Sequence, residues 1–161
     1  MDIKSQTKPS KNHAGSFVIL ALLLIGFGGC GSGETTDNLV AEANATNIQR
    51  LANLYMGFQA RNNYQGPTDE AAFKEFISGF NAKKLQRMGI DDTDSLFSSE
   101  RDGQPFKIRY GIAGSSRGSD DAVIFEATGV EGKRRVAYLN SKLEEVESGQ
   151  YDKLWAGSPD S

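Results

Sequence analysis

The chain of 161 residues carries one cysteine, one histidine, one tryptophan and four prolines. A single cysteine cannot close an intrachain disulfide, and one histidine beside one cysteine is too few for a Cys/His metal cluster. An excess of positive charge is missing too. With 18 basic and 21 acidic side chains the formal charge is −3, which argues against a generally basic nucleic-acid binder. The length fits one domain by the usual span of about 100 to 200 residues. What the chain does have is an uneven placement of its apolar residues.

Lys4, Lys8 and Lys11 precede a run from Ala14 to Phe27 that includes Phe17, Val18, Ile19, Leu20, Leu22, Leu23, Leu24 and Ile25, and Gly28, Gly29 and Cys30 follow at once. A basic stretch, an apolar stretch and small residues in that order form the layout of a secretory signal. The apolar run falls short of the about 20 residues of a spanning helix. The lone cysteine directly after Gly28-Gly29 resembles a bacterial lipobox, although Phe27 stands where leucine is usual. The resemblance implies cleavage before Cys30 and a diacylglycerol, usually with an N-acyl chain, on that residue. Two or more chains at about 0.8 kcal/mol per buried CH₂ make attachment lasting. Gly31, in place of an aspartate, implies sorting to an outer membrane. The expected organisation is a signal peptide over 1–29, a tether over 30–37, a domain over 38–157 and a disordered tail over 158–161.

Cleavage would remove Lys4, Lys8, Lys11 and Asp2, leaving 15 basic and 20 acidic side chains and a net charge of −5. His13 would leave as well, and the cysteine would be blocked. Ser-His-Asp and Cys-His catalysis and histidine-ligated zinc would then lack their side chains. The stretch Gly31 to Asp37, GSGETTD, is small and polar and reads as a tether of at most about 25 Å.

Within the domain, Val40, Ile48, Leu51, Ala52, Tyr55 and Phe58 recur at three- and four-residue spacing and predict one amphipathic helix from Asn38 to about Asn62, capped by Thr36 or Asp37. Asn44, Asn47, Gln49, Arg50, Asn53 and Arg61 are expected to face outward. A second helix starts at Thr68-Asp69-Glu70 with Phe73, Phe76, Ile77 and Phe80 as core. A third runs from Ala82 to Met88 and stops at Gly89, with Lys83, Lys84 and Arg87 on a solvated face. The period then changes to two. Phe106, Ile108, Tyr110 and Ile112 predict a strand, followed by strands over Ala122 to Thr128, Arg134 to Leu139 and Leu143 to Glu147, joined by hairpin turns. A last helical turn carries Tyr151, Leu154 and Trp155. The expected fold class is α+β, a long helix and short helices packed on an antiparallel sheet of about four strands.

The segment Arg101 to Gly111, RDGQPFKIRYG, resembles the Gly-x-Pro-Tyr/Phe strand opening of the major pseudopilins of type II secretion. Arg134 to Val146 is similar to the closing hairpin of pilin-like families, and Asn47 to Asn63 to the helix that enters such domains. Together these stretches imply a pilin-like domain. A pseudopilin, however, assembles through a membrane-spanning N-terminal helix, where this chain has a lipobox and a glycine-containing tether.

Asp91, Asp92 and Asp94, with Asp102 nearby, form the densest acidic cluster. A solvated loop with capping aspartates is the first reading. A calcium site built from these four carboxylates is the second, because calcium takes six to eight oxygen ligands and some pseudopilins carry one in this region. The spacing lacks the central glycine and terminal glutamate of an EF-hand. Gly111 to Ser119 reads as a hairpin loop and not a phosphate cradle, since the Gly-Lys-Ser/Thr ending is missing. Lys133, Arg134 and Arg135 read as charges protecting an edge strand. Nothing in the spacing fixes two carboxylates across a cleft. The expectation is a non-catalytic, lipid-anchored envelope protein with the membrane and an envelope protein as partners, and no nucleic acid; a calcium-binding secretion component and a carboxylate-based cell-wall hydrolase are the alternatives.

Overall fold

A computed structural model describes residues 44–114 and 118–157. The expected signal segment, Cys30, the tether and the tail lie outside the described residues. Helix α1 spans Asn47–Arg61. The Gln49 side-chain oxygen accepts from the Thr46 amide (3.1 Å) and the Thr46 hydroxyl (2.9 Å), at the Thr-x-x-Gln spacing of a capping box. Residues 44 to 46 form a turn and bend. The long helix expected from Asn38 therefore has its start at Asn47, because Thr46 and Gln49 satisfy the free amides of a helix end there. Ile48, Leu51, Ala52, Leu54, Tyr55 and Gln59 supply its buried stripe.

Helix α2, Glu70–Ser78, is capped by Asp69, whose carboxylate accepts from the Ala72 amide at 2.9 Å. Helix α3, Ala82–Arg87, is capped by Asn81, which accepts from the Lys84 amide at 2.9 Å. Gly89 follows with φ +70°, and a Cβ there would lie 2.9 Å from the Arg50 guanidinium, so glycine is needed on both counts. A 3-10 turn, Ser95–Phe97, comes next and buries Leu96 and Phe97.

Strands β1 (Lys107–Ile108), β2 (Ala122–Phe125), β3 (Lys133–Tyr138) and β4 (Leu143–Glu147) form an antiparallel meander in the order β1-β2-β3-β4. Helix α4, Ser148–Ala156, closes the described fold. The expected α+β class with a four-stranded antiparallel sheet is what the chain forms. A bulge between Ala122 and Ile124 breaks the strand's alternation. Val123 and Ile124 consequently both join the core beneath α1, whereas Ala122 and Phe125 join the core beneath α4.

Three strand expectations need correction. The strand foreseen over 106–112 forms only at Lys107–Ile108, with the Arg109 amide still bonding the Val123 carbonyl at 2.9 Å, because the residues after it are captured elsewhere. The Gly111 amide donates to the Pro67 carbonyl (2.8 Å), the Ile112 amide to the Tyr55 hydroxyl (3.1 Å), and the Gly66 amide to the Ile112 carbonyl (3.0 Å). Strand β2 ends at Phe125, since Glu126 turns its carboxylate inward. Lys133, Arg134 and Arg135 lie on an interior strand, with β2 and β4 on either side, and so guard no edge. Arg135 instead reaches Glu145 (3.8 Å), and Arg134 stacks over the Tyr151 ring at 4.3 Å.

The polar face of α1 is also less exposed than expected, with Asn47, Gln49, Arg50 and Asn53 all half-buried, the first and third of them bonded to loops. Asn47 donates to the carbonyls of Ser95 (3.1 Å) and Ser98 (3.0 Å), and Arg50 Nε donates to the Met88 carbonyl at 2.9 Å. Both side chains tie loops to the helix. The first core centres on Tyr55, Phe73 and Phe97, whose rings meet edge to face at 5.8 and 5.7 Å. Among the described residues no helix is long and apolar enough to cross a membrane.

Candidate functional site

On the sheet face opposite α1, a groove of about 540 Å³ runs between the β3–β4 hairpin, residues 120–122 and helix α4. Its floor is Ala122 and Tyr138, and its wall is Leu154. The rim is charged: Arg109 and Lys142 stand with Asp120, Asp121 and Glu144. Register places these groups. Ala122 pairs with Tyr138 across β2 and β3, and Glu144 sits opposite Val136 across β3 and β4.

Tyr138 donates its hydroxyl to Glu144 at 2.5 Å, and the Lys142 ammonium lies 2.6 Å from the other Glu144 oxygen. The Lys142 bond first, and the Tyr138 bond second, hold the Glu144 carboxyl below the usual carboxylate range. Glu144 is therefore ionised at neutral pH and unsuited to general-acid work. Asp120 accepts from the Asn140 amide group (2.6 Å) and Asp121 from the Ser119 hydroxyl (2.6 Å). Arg109 donates to the Ala122 carbonyl at 3.2 Å, and among the described residues no carboxylate lies within ion-pair distance of it. A Cβ on Gly157, where φ is +74°, would come within 2.8 Å of Arg109 Nη2. The glycine that ends α4 thus leaves room for the guanidinium. Chemically, the groove can bind an anionic group at Arg109 while Asp120, Asp121 and Glu144 accept from donors around it.

The four aspartates singled out in the sequence do not converge. Asp92 accepts from the Ser95 amide (2.7 Å), and this bond, with the Ser95 hydroxyl after it, lowers its carboxyl pKa. Asp94 receives Lys74 at 2.7 Å. Asp102 lies in a different turn and accepts from the amides of Gln104 (3.0 Å), Gly129 (2.6 Å) and Thr128 (3.3 Å). Partial burial would raise its carboxyl pKa, but those amides outweigh it and leave the group lowered. Asp91 is exposed. Among the described residues no three His, Cys, Asp or Glu side chains gather as a metal site would require.

One polar group escaped the sequence reading. Glu126 is only 1% exposed. Its carboxylate accepts from the Ser99 hydroxyl (3.0 Å) and the Arg135 amide (2.8 Å), with Arg101 at 3.7 Å, and Arg101 continues to Glu145 at 2.6 Å. The Glu126 carbonyl accepts from the Tyr151 hydroxyl at 2.9 Å. One residue thereby links the 3-10 turn, the β2–β3 hairpin and α4. A glutamate prolonging the apolar run Val123-Ile124-Phe125 was the available signal. The loop after Ile112 is pinned as well: buried Gln59 donates to the Ile112 carbonyl at 2.8 Å, and the Gly114 amide to the Tyr64 carbonyl at 2.7 Å. Comparison of the chain with protein-family models, with curated proteins and with solved structures finds no match.

Proposed function

We propose that the chain is a lipid-anchored bacterial envelope protein, directed to the outer membrane, whose α+β domain is a non-catalytic binding module with the groove at Arg109 as its binding site. The observation that carries the reading is Cys30: the chain's one cysteine stands directly behind an apolar run and two glycines. Chance placement of a lone thiol at that position is improbable on the sequence's own composition. The groove supports a binding role, since its volume of about 540 Å³ falls within the roughly 300–1,000 Å³ of small-ligand sites. Its half-polar rim suits a ligand that carries an anionic group with hydrogen-bond donors beside it. The ionised state of Glu144 speaks against a hydrolase that uses it as acid. The finer, pilin-like part of the reading draws support from a helix laid over an antiparallel meander, and the lipid would replace the family's membrane helix.

Metabolic labelling with a fatty acid tests the anchor. The unaltered chain should incorporate label and sediment with membranes, and Cys30→Ser should do neither. Labelling that persists in Cys30→Ser would contradict the reading.

A further inference from the structure

We propose that the face formed by the C-terminal half of α1, the end of α2 and the outer side of α3 docks on an anionic phospholipid surface. This rests on the lipid-anchored reading only for what brings the domain to a membrane. The surface itself is argued from aromatic rings and cations.

Phe58, Phe76 and Phe80 form a ladder of edge-to-face rings with centroids 5.2 and 5.1 Å apart, and all three are only half-buried. Phe73 and Ile77 on α2 are fully buried, whereas Phe76 and Phe80 only flank the first core and Phe58 does not join it, so the ladder marks an apolar edge that the core covers in part. Cations stand directly on these rings. The Arg61 guanidinium lies 5.1 Å from the Phe80 centroid and 5.5 Å from that of Phe76, and the Lys84 ammonium lies 3.8 Å from Phe80. Lys83 and Arg87, four residues apart on α3, are exposed and share its outer side, because Leu85 and Met88 turn toward the first core. One carboxylate, Glu75, faces the shallow groove between Phe58, Arg61 and Phe76. Helix α3 carries Lys83, Lys84 and Arg87 and no carboxylate, and the groove at Arg61 carries Glu75, so this face is locally basic where the chain as a whole is negative. Aromatic rings that bury their edges beside long cationic side chains suit the boundary between acyl chains and headgroups, where attraction to anionic lipid adds to apolar burial.

The path of the chain is consistent with this placement. Arg50 donates to the Met88 carbonyl at the end of α3 (2.9 Å) and to the Ala45 carbonyl (3.4 Å), so the chain joins the domain beside this face. The 13 residues between Cys30 and Asn44 can span at most about 45 Å, far enough for the face to reach the bilayer that would hold the lipid. The opposite side of the domain is less suited, since Trp155, Lys107 and Arg134 there are interspersed with Glu131, Glu147 and Asp152.

The experiment uses the full chain carrying Cys30→Ser, so that a single introduced cysteine takes the fluorophore. Gln86→Cys labels the outer side of α3, and Asp152→Cys labels α4 on the other side of the sheet. Each is mixed with vesicles of phosphatidylcholine alone or of phosphatidylcholine with phosphatidylglycerol, both containing a lipid-borne quencher. The apolar run over 14–27 can tether the chain to either vesicle, and because the chain joins the domain beside α3 it favours position 86 to the same extent with and without phosphatidylglycerol. Docking predicts that phosphatidylglycerol adds quenching at position 86 and adds none at 152. Arg61→Ala with Arg87→Ala should weaken docking about 30-fold, from roughly 1 kcal/mol per cation near an anionic surface, and return position 86 to its phosphatidylcholine value. Glu75→Gln should strengthen it. Added quenching that is equal at the two positions, added quenching greater at 152, or quenching indifferent to phosphatidylglycerol would each overturn the proposal. Failure of the anchor reading is seen separately, as loss of fatty-acid labelling at Cys30 in cells.

Discussion

Among the described residues the first face of the sheet carries α1, α2 and α3 over a core built around Tyr55, Phe73 and Phe97, whereas the second carries only the nine-residue α4 and leaves Ala122, Tyr138 and Glu144 along an open groove. Both faces begin from the same strands. The bulge at Ala122 to Ile124 sends two consecutive aliphatic side chains to the first face, so that face gains apolar surface at the expense of the other. A sheet so divided has one side that fixes the fold and another that leaves polar side chains along an open groove. Stability should therefore respond strongly on the first face, and weakly on the second.

The largest effect is expected from Phe73→Ala, which empties the centre of the aromatic cluster and should cost about 3–5 kcal/mol in a denaturant titration. If it cost no more than a change on the groove side, the contrast between the faces would be lost. Glu126→Gln tests the link between the two sides. It keeps the side chain's shape, removes the charge facing Arg101, and should cost about 1–3 kcal/mol. Leu154→Ala on the second face removes a half-buried side chain and should cost about 1–2 kcal/mol, the lower figure if the groove is already wet.

Alkaline titration sharpens the same contrast. Burial first, opposed by the Ile112 amide bond, raises the Tyr55 hydroxyl from 10.0 to about 12. The neutral phenol is the form that the folded state favours, so its contribution is complete below pH 10 and is lost as pH rises toward 12. The Tm of the unaltered chain should fall faster over that interval than that of Tyr55→Phe. The smallest effect is expected on the groove rim. Lys142→Ala should change stability by less than about 1 kcal/mol, because the Lys142 side chain is more than half exposed. Calcium should leave the melting temperature unchanged, since Asp92, Asp94 and Asp102 already have protein partners.

The difference between the faces also explains what the sequence disclosed. Periodic apolar residues marked α2, the last two strands and the end of α1 closely, because local pattern and tertiary burial agree there, whereas the start of α1 is set by the Thr46–Gln49 cap. Strand β4 occupies the expected residues, Leu143–Glu147. The shortened β1 was hidden, since it depends on the Pro67 carbonyl and the Tyr55 hydroxyl competing for amides far away in the chain. The 3-10 turn at Ser95–Phe97 was hidden too, because it follows a run of acidic residues and Leu96-Phe97 is too short for a period. The groove could not be read at all. Arg109, Asp121, Lys142 and Leu154 come from four separate stretches, and only the register of β2 on β3 and the return of α4 bring them together.

The proposed anchor at Cys30 decides whether this two-sided domain works at a membrane. Mass spectrometry of the protein isolated from a bacterial envelope measures it most directly. The account predicts a first residue of Cys30 carrying a diacylglycerol thioether, with no peptide from residues 1–29. A chain recovered with Cys30 internal and unmodified would contradict it.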